Sequence, residues 1–392
     1  MSGGIPWALT VLGSFSATRP AEAQSSVDLN YLYYQESDGR VRVLTPMLLV
    51  HQDFGEAGGM VDLRLSHDSV SGASPTGGLP TGTMTTTTSA STSGSSSSSQ
   101  FPMVQFSDVR RSEALTYSHR FGAHLPSIDL SHSAEKDYFA NEVGISDAWT
   151  MAGGRGTLHY GASFSHDIVE PVTNTLHLAK KTRSFALGWT WILGENDLMD
   201  LSTMWTRDQG YLDEPYLIVP VGTGTLPDHR PDSSTHQAFL LKYGHYFDWD
   251  GALKTTYRYY RDDWSIASHT LSLDYDQHAG DGWIISPSLR FYTQTAASFY
   301  GTSFDTPPVY RTADYRLSAF SNIQVGLAFS YSFSHDFLVR VGGTYQTQRG
   351  RDRILPLIQP PVEDNPAVYG GSSVSAADVN TQTITVGLKW RY

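Results

Sequence analysis

The sequence predicts an all-β protein, a single transmembrane antiparallel β-barrel of about 16 strands with long extracellular loops. Nearly every segment alternates apolar and polar residues and is bounded by Gly, Asp, Asn or Pro. The candidate strands are ~10 to 14 residues long, which suits a tilted membrane crossing better than a soluble strand of ~5 to 6 residues. Aromatic residues gather at the ends of the apolar faces, and short and long connections alternate. These features favour an outer-membrane barrel over a soluble sandwich or propeller, which would also alternate.

The composition excludes several other classes. The 392 residues include no cysteine and 17% charged residues, which rules out collagen, coiled coils and disulfide scaffolds. The net charge of −12 argues against nucleic acid as a partner, because a protein that neutralises phosphates needs an excess of basic residues. No apolar run approaches the ~18 residues of a transmembrane helix.

The start of the chain predicts export. Residues 5–17 form a short apolar stretch, and Ala21-Glu22-Ala23 follows as a small-x-small cleavage pattern. We therefore expect a signal peptide over residues 1–23 and a barrel over residues 24–392. No basic residue precedes Arg19, so a misplaced start codon or a flexible terminus is the alternative.

Parity sets the number of strands, because both termini of such a barrel lie on the periplasmic side. Strands are expected to begin near residues 27, 41, 60, 110, 125, 138, 156, 182, 197, 234, 251, 265, 283, 323, 336 and 379. The segment Ala313-Asp-Tyr-Arg-Leu-Ser would make a further strand and break the parity, so we assign it to an outer loop or the rim. Fourteen or 18 strands are the alternatives. Residues 70–109 are expected to form a low-complexity Ser/Thr-rich outer loop, and residues 349–378 a second long outer loop.

Alternation also predicts which charges point into the lumen. The expected inward charges are Asp62, Arg64, Asp129, Glu142, Asp200, Lys242, Lys254, Arg258, Asp274, Asp276, Arg290, Arg340 and Lys389, and the stretch after Arg258 adds Asp262. A barrel of this size is wide enough for an aqueous channel, and opposed acids and bases would create a transverse field across it. Alternatively, the charges pair with their neighbours and partly close the lumen.

A second group of polar residues surrounds an outer hairpin. It consists of Tyr260, Arg261, Asp262, Asp263, Trp264 and His269. Arg258 and Arg261 could grip an anionic ligand, with Tyr260 and Trp264 as stacking faces. The favoured interpretation is structural: Asp262 and Asp263 pair with those arginines and hold the hairpin together.

Catalysis is the least favoured function. A rim enzyme needs a His beside a carboxylate or Ser, and the candidates are His67 with Asp68, His166 with Asp167, and His269 with Asp262 or Asp263. Adjacent residues of a strand point to opposite faces, so the first two pairs cannot act together within one strand. The chain has no HExxH, GxSxG or P-loop motif. We expect no enzyme, no cofactor and no metal.

The C-terminus carries a signal for assembly. Ile384, Val386, Leu388, Trp390 and Tyr392 form one apolar face that ends in aromatic residues. This pattern resembles the element by which the outer-membrane insertion machinery recognises its substrates. It is also what a last strand with a lipid-facing side requires, and both interpretations can hold.

Several strings in order resemble a known bacterial family. They are Asp68-Ser-Val-Ser-Gly-Ala-Ser-Pro75, Gly210-Tyr-Leu-Asp-Glu-Pro-Tyr216, Arg230-Pro-Asp-Ser, Tyr257-Arg-Tyr-Tyr-Arg-Asp-Asp-Trp264, Ser268-His-Thr270 and Ala313-Asp-Tyr-Arg-Leu317. Together they resemble the family called domain of unknown function 3570, from about residue 27 to the C-terminus. The long Ser/Thr loop and Arg261, where an aromatic residue is common, depart from its pattern.

The resemblance implies an outer-membrane β-barrel encoded near a thioredoxin-like protein, a small lipoprotein and a flavin transferase. From this we expect localisation in the outer membrane of a Gram-negative bacterium, and partners that include the lipid bilayer, the insertion machinery and periplasmic or lipoprotein components. The favoured function is a channel for small solutes or ions. The alternatives are a plugged barrel that acts as a scaffold or export partner and, last, a rim-located hydrolase.

Overall fold

Sixteen strands close into one antiparallel barrel. The computed structural model describes residues 25–55, 58–75, 103–172, 176–350 and 376–392. The strands are β1 (Ser26–Glu36), β2 (Arg42–Asp53), β3 (Gly59–Pro75), β4 (Met103–His119), β5 (His124–Ala134), β6 (Tyr138–Met151), β7 (Gly156–Val169), β8 (Leu178–Ile192), β9 (Asp197–Gly210), β10 (Ile218–Val221), β11 (Gly224–Pro227), β12 (Ser233–Phe247), β13 (Gly251–Asp262), β14 (Ala267–His278), β15 (Trp283–Gln294), β16 (Phe320–Ser332), β17 (Phe337–Gly350) and β18 (Val379–Arg391).

The order of the strands around the barrel is their order in the sequence. Each barrel strand pairs with the next, β9 pairs with β12, and β1 pairs with β18 to close the ring. Strands β10 and β11 form a separate hairpin within the connection from β9 to β12. We call the end that carries both termini the termini end and the opposite end the loop end. No helix among the described residues is long and apolar enough to cross a membrane.

The register fixes which side chains point outward. Leu29 pairs with Leu388 and Tyr31 with Val386, and these positions belong to the apolar outer face. Outward residues such as Ile145, Leu201 and Val325 are 62%, 50% and 51% exposed, because nothing in the protein covers them. An outer wall of exposed apolar side chains is the surface that a lipid bilayer would cover.

Aromatic side chains form a belt on the outer wall at the termini end. Trp149 stacks on the His124 ring at 5.4 Å, Phe247 stacks on Trp249 at 4.4 Å, and Trp390 contacts Tyr392 at 5.0 Å. Aromatic rings with a polar edge favour the boundary between apolar lipid and water. The belt therefore indicates where a membrane surface would meet the barrel.

The expected number of strands is confirmed, and the alternatives of 14 and 18 are wrong. The Ala313 segment contains a single turn of 3-10 helix, Tyr315–Leu317, and lies in the connection between β15 and β16. Strands β3 and β4 are longer than predicted, since their ladder continues to the pair Pro75 and Met103. The outer part of this ladder consists mainly of small polar residues and shows little alternation of apolar and polar residues, which is why the sequence predicted a loop from residue 70. Residues 1–23, 76–102 and 351–375 lie outside the described part of the chain.

Two connections at the loop end have structure of their own. Gly210 ends β9 with φ of 113°, and an added Cβ there would collide with the carbonyl oxygen of Ala179. This backbone conformation favours glycine, and it turns the chain out of the barrel wall. Residues 211–232 and 295–319 then contact each other through isolated bridges between Val221 and Phe304 and between His229 and Arg311. We call these two connections the folded-in loops.

Candidate functional site

The barrel lumen is the candidate site. The register places all the predicted lumen charges at inward positions: Asp62, Arg64, Asp129, Glu142, Asp200, Lys242, Lys254, Arg258, Asp274, Asp276, Arg290, Arg340 and Lys389, with Asp262 beside them. Six of them line one internal cavity of about 1310 Å³: Asp62, Arg64, Asp129, Glu142, Arg258 and Lys389. The structure therefore brings opposite charges to a shared space.

Inward charges are segregated around the ring. Strands β12 to β18 carry the inward basic residues Lys242, Lys254, Arg258, Arg290, Arg340, Lys389 and Arg391 against the acids Asp262, Asp274 and Asp276. Strands β1 to β9 carry the inward acids Asp28, Glu36, Asp53, Asp62, Asp68, Asp108, Asp129, Glu142, Asp167, Asp200 and Asp208 against Arg64, Arg110 and Lys180. One wall is thus net positive and the other net negative, which sets an electric field across the lumen.

Three inward lysines and one inward arginine form ion pairs with acids of the wall. Lys389 lies 3.2 Å from Asp28, Lys254 lies 3.6 Å from Asp274, and Lys180 lies 3.9 Å from both Asp167 and Asp208. Arg110 pairs with Asp68 at 2.6 Å.

Four inward arginines, Arg64, Arg258, Arg290 and Arg340, have no salt bridge to any described residue. The Nε atoms of Arg64 and Arg258 are buried without a hydrogen-bond partner. Arg258 instead lies over the Tyr260 ring, with its guanidinium carbon 5.2 Å from the ring centre. The predicted pairing of lumen charges therefore applies to Lys254 and Lys389 and not to these four arginines, of which Arg64 and Arg258 line the cavity.

A buried histidine lies on the inner wall toward the termini end. The Nε2 atom of His159 is 2.9 Å from Asp200, which also accepts hydrogen bonds from Thr190 and Ser202. Gly188 leaves space for the imidazole, since an added Cβ would lie 2.5 Å from its ring. The pairing of His159 could not be predicted from the sequence, because its partner is 41 residues away and only the folded barrel brings the two together.

The folded-in loops form an ionic network at the loop end. Arg316 donates to Asp314 at 2.6 Å and to Glu214 at 3.0 Å. Arg230 donates to Asp314 at 3.0 Å and to Asp228 at 2.7 Å. Since Glu214, Asp228 and Arg230 belong to the first loop and Asp314 and Arg316 to the second, these contacts join the two loops.

The network is anchored to turns elsewhere on the ring. The Tyr216 hydroxyl donates to Asp137 in the turn between β5 and β6. Arg40, in the turn between β1 and β2, lies 5.1 Å from the Tyr315 ring centre and donates to the Ala376 carbonyl oxygen at 2.5 Å. Arg316 and Leu317 also line the lumen cavity. The folded-in loops therefore extend over the mouth and cover part of the cavity.

The electrostatics of the network favour its charged form. Burial acts to raise the pKa of Asp314, but the guanidinium groups of Arg316 and Arg230 outweigh it and hold that pKa well below its usual range. Burial acts to lower the pKa of Arg316, and Asp314 and Glu214 raise it well above its usual value. Asp228 differs, because burial raises its pKa despite the neighbouring Arg230. Burial raises the pKa of Tyr315 to about 12.

The outer hairpin does not have the predicted pairing. Asp262 accepts hydrogen bonds from the backbone N–H groups of Trp264 and Ile266 and from the Tyr260 hydroxyl, so it holds the turn without an arginine. Arg261 points outward and donates to Gln237.

The prediction that Arg258 and Arg261 grip one anion is wrong as well, because the two residues are three positions apart on β13, so Arg258 points inward and Arg261 outward. Asp263 contributes its backbone N–H to Thr235. Trp264 donates from its indole to the Ser233 carbonyl oxygen, which ties this turn to the start of β12.

The predicted rim histidines lie away from their acidic neighbours. His67 and His166 occupy outward positions and Asp68 and Asp167 inward ones. His269 is outward, and its Nδ1 lies 2.7 Å from the Tyr257 hydroxyl. Three carboxylates at the loop end, those of Asp108, Glu135 and Asp137, lie within 4.8 Å of one another. Burial raises the pKa of Glu135.

The C-terminal strand has the predicted facing. Ile384, Val386, Leu388, Trp390 and Tyr392 alternate with inward residues along β18. Trp390 and Tyr392 are 51% and 52% exposed at the aromatic belt. This edge joins β1 and closes the ring.

Fold and lumen define the class: a closed 16-stranded barrel of the outer-membrane type. The family described as "Protein of unknown function (DUF3570)" matches residues 7–380, and the chain belongs to this family, as the sequence strings suggested. No curated protein matches the chain.

Several solved structures are similar in fold to this chain. A bacterial polysaccharide outer membrane secretin is 7% identical with a TM-score of 0.51, covering 95% of this chain and 99% of that chain. CdiB from Acinetobacter baumannii is 10% identical with a TM-score of 0.49, covering 93% of this chain and 60% of that one. A loop-deletion mutant of OmpT from Vibrio cholerae is 10% identical with a TM-score of 0.44, covering 94% and 98%. At these identities the first supports the fold alone.

The network could not be recognised from the sequence. Its members Glu214, Arg230, Asp314 and Arg316 lie in strings that carry the family resemblance, yet no role was assigned to them. The sequence did contain one signal. These strings combine charged residues with Gly and Pro in connections between strands, where the packing of the barrel wall does not require charged residues. Their pairing was invisible, because Glu214 and Arg316 are 102 residues apart.

Proposed function

We propose that this protein is a channel for small solutes or ions in the outer membrane of a Gram-negative bacterium. The observation that carries the proposal is the segregation of inward charge into a net positive and a net negative wall around one cavity. A transverse field of this kind orients dipolar and charged solutes as they pass. A plain structural shell has no need of inward arginines without acidic partners, since desolvating an unpaired charge is costly.

In this proposal the folded-in loops set the entrance. Their network covers part of the cavity from above, so a solute enters through the space that the loops leave open. The lipid bilayer covers the outer wall, and the insertion machinery recognises the C-terminal strand.

The test is conductance of the purified protein in planar bilayers, with reversal potentials in a salt gradient. We expect steady ohmic steps, and a selectivity that changes when an inward arginine is neutralised. Heat-modifiable migration on a gel is the control for folding. A folded protein that gives no current would refute the channel.

A second candidate is a plugged barrel that acts as a scaffold or export partner for periplasmic or lipoprotein components. The observation that favours it is the ionic network, which fastens the folded-in loops across the mouth. This candidate predicts a silent barrel that retains a partner during purification in mild detergent. A conducting barrel that purifies alone would exclude it.

A further inference from the structure

The outer wall carries a cluster of cations near the loop end. Lys181 and Arg183 on β8, Arg207 on β9 and Arg261 on β13 occupy outward positions, and all four side chains are exposed. We call this group the basic cluster. Among the outward positions of β7, β8, β9, β12 and β13, all of which the structure describes, the one acid is Asp197, at the termini end.

The arrangement concentrates positive charge instead of dispersing it. Arg183 and Arg207 are direct partners in the ladder between β8 and β9, which brings their Cβ atoms to about 5 Å. Lys181 is the next outward residue on β8. Like charges directly opposite each other destabilise a sheet, so this pair is unfavourable unless an anion binds between the two guanidinium groups. Arg261 is held toward the same side by hydrogen bonds to Gln237 at 2.9 and 3.2 Å.

The wall directly beneath the basic cluster is apolar. Phe185, two residues below Arg183, lies 5.9 Å from the Trp205 ring, and the two are 46% and 38% exposed. Phe239 and Tyr259 stack beside them at 6.4 Å. A ligand complementary to this surface carries phosphate at one end and hydrocarbon at the other.

We propose that the basic cluster binds the phosphate groups of a phosphorylated glycolipid of the outer leaflet, whose acyl chains lie on the apolar wall beneath. Charge complementarity selects an anionic headgroup, and the adjoining aromatic surface selects a lipid over a free anion. Arginine suits this role because its planar guanidinium donates two parallel hydrogen bonds to a phosphate.

The experiment measures lipid binding to the purified full-length protein in detergent by native mass spectrometry. The probe is lipid A with both phosphates, compared with the same lipid after its phosphates are removed. We expect Arg183→Ala with Arg207→Ala to weaken lipid A binding about tenfold or more. Arg183→Lys with Arg207→Lys should bind lipid A with an affinity between those of the parent and the double alanine variant, because the charge stays while the paired guanidinium hydrogen bonds are lost.

The matched control is Arg111→Ala, which removes an outward arginine from β4, outside the basic cluster, and should leave binding unchanged. Heat-modifiable migration shows that each variant is folded. Equal affinity of the double alanine variant, equal binding of the dephosphorylated lipid, or displacement of lipid A by inorganic phosphate at equal concentration would each overturn the proposal. None of these readouts depends on whether the barrel conducts.

Discussion

Asp314 is the position where the closure of the mouth can be tested most directly. Its carboxylate is buried and accepts from Arg316 at 2.6 Å and from Arg230 at 3.0 Å. The Asp314→Asn substitution keeps the size of the side chain and removes the negative charge that forms ion pairs with the guanidinium groups of Arg316 and Arg230. Breaking a buried ion pair costs about 3 to 5 kcal/mol, and screening reduces this here because the Arg316 side chain is 37% exposed.

We therefore expect the docking of the folded-in loops to weaken by about 2 kcal/mol, which shifts the balance between docked and undocked loops about thirtyfold. The assays are single-channel conductance and trypsin cleavage within the loops. Conductance should rise or fluctuate between levels, and cleavage should be faster.

The control for Asp314→Asn is Arg311→Ala. Arg311 belongs to the same loop, and its side chain donates to the carbonyl oxygens of Pro227 in the other folded-in loop at 3.0 Å and of Pro308 at 3.1 Å, so its loss removes one hydrogen bond between the loops and no member of the ionic network. Its removal should leave conductance nearly unchanged. If Asp314→Asn gives the parent's conductance and cleavage rate, the network does not control the mouth and the reasoning fails.

The same carboxyl predicts how the mouth responds to acid. Because the folded-state pKa of Asp314 lies below the unfolded value of ~3.9, its contribution to stability is present above that pH and is lost as the pH falls through the folded pKa. Asp228 has the opposite sign, because its raised pKa makes protonation on acidification favour the folded state. Hydrogen exchange of the loops, corrected for intrinsic rates, should show no loss of protection between about pH 7 and 5. Opening within that range would contradict both pKa directions.

Two further predictions concern the wall. Arg258→Ala removes an inward charge without an acidic partner among the described residues and should move the reversal potential toward cation selectivity. Arg261→Ala, on the outward side of the same strand, should not change the reversal potential. Equal shifts in the two variants would show that the inward charges do not set the selectivity. Gly188→Ala places a methyl group against His159 and should cost about 1 to 3 kcal/mol in unfolding by urea. Gly244→Ala meets open space and should be nearly neutral, so an equal loss in both variants would show that the clash with His159 is not the cause.

The wall could be read from the sequence because its rule is local. Outward positions need only be apolar, and inward positions only polar, so the alternation along β18 from Ile384 to Tyr392 is sufficient. The rule failed where apolar residues were absent, as in the outer part of the ladder between β3 and β4. There the pairing of Ser74 with Val104 depends on the neighbouring strand and leaves no periodic signal.

The site could be read only in part for the same reason. Inward facing follows from parity, and the structure places the expected charges accordingly. Pairing does not follow from parity, because it depends on which strands become neighbours and on side-chain reach. His159 with Asp200 and Glu214 with Arg316 illustrate this, since each pair joins distant segments. Asp262 shows the converse, because backbone N–H groups satisfied a carboxylate for which the sequence suggested arginine partners.

The physics of the two surfaces also explains where the family resemblance lies. Contacts with lipid are non-directional, so many apolar residues satisfy the outer wall equally well. An ionic network is directional, and each of its members needs a partner at hydrogen-bond distance. Strings such as Gly210 to Tyr216 and Ala313 to Leu317 supply such members, Glu214 and Tyr216 in one and Asp314 to Arg316 in the other. Part of the recognisable sequence therefore lies in the loops that cover the mouth, whereas Asp68 to Pro75 and Tyr257 to Trp264 lie in or next to the wall strands β3 and β13.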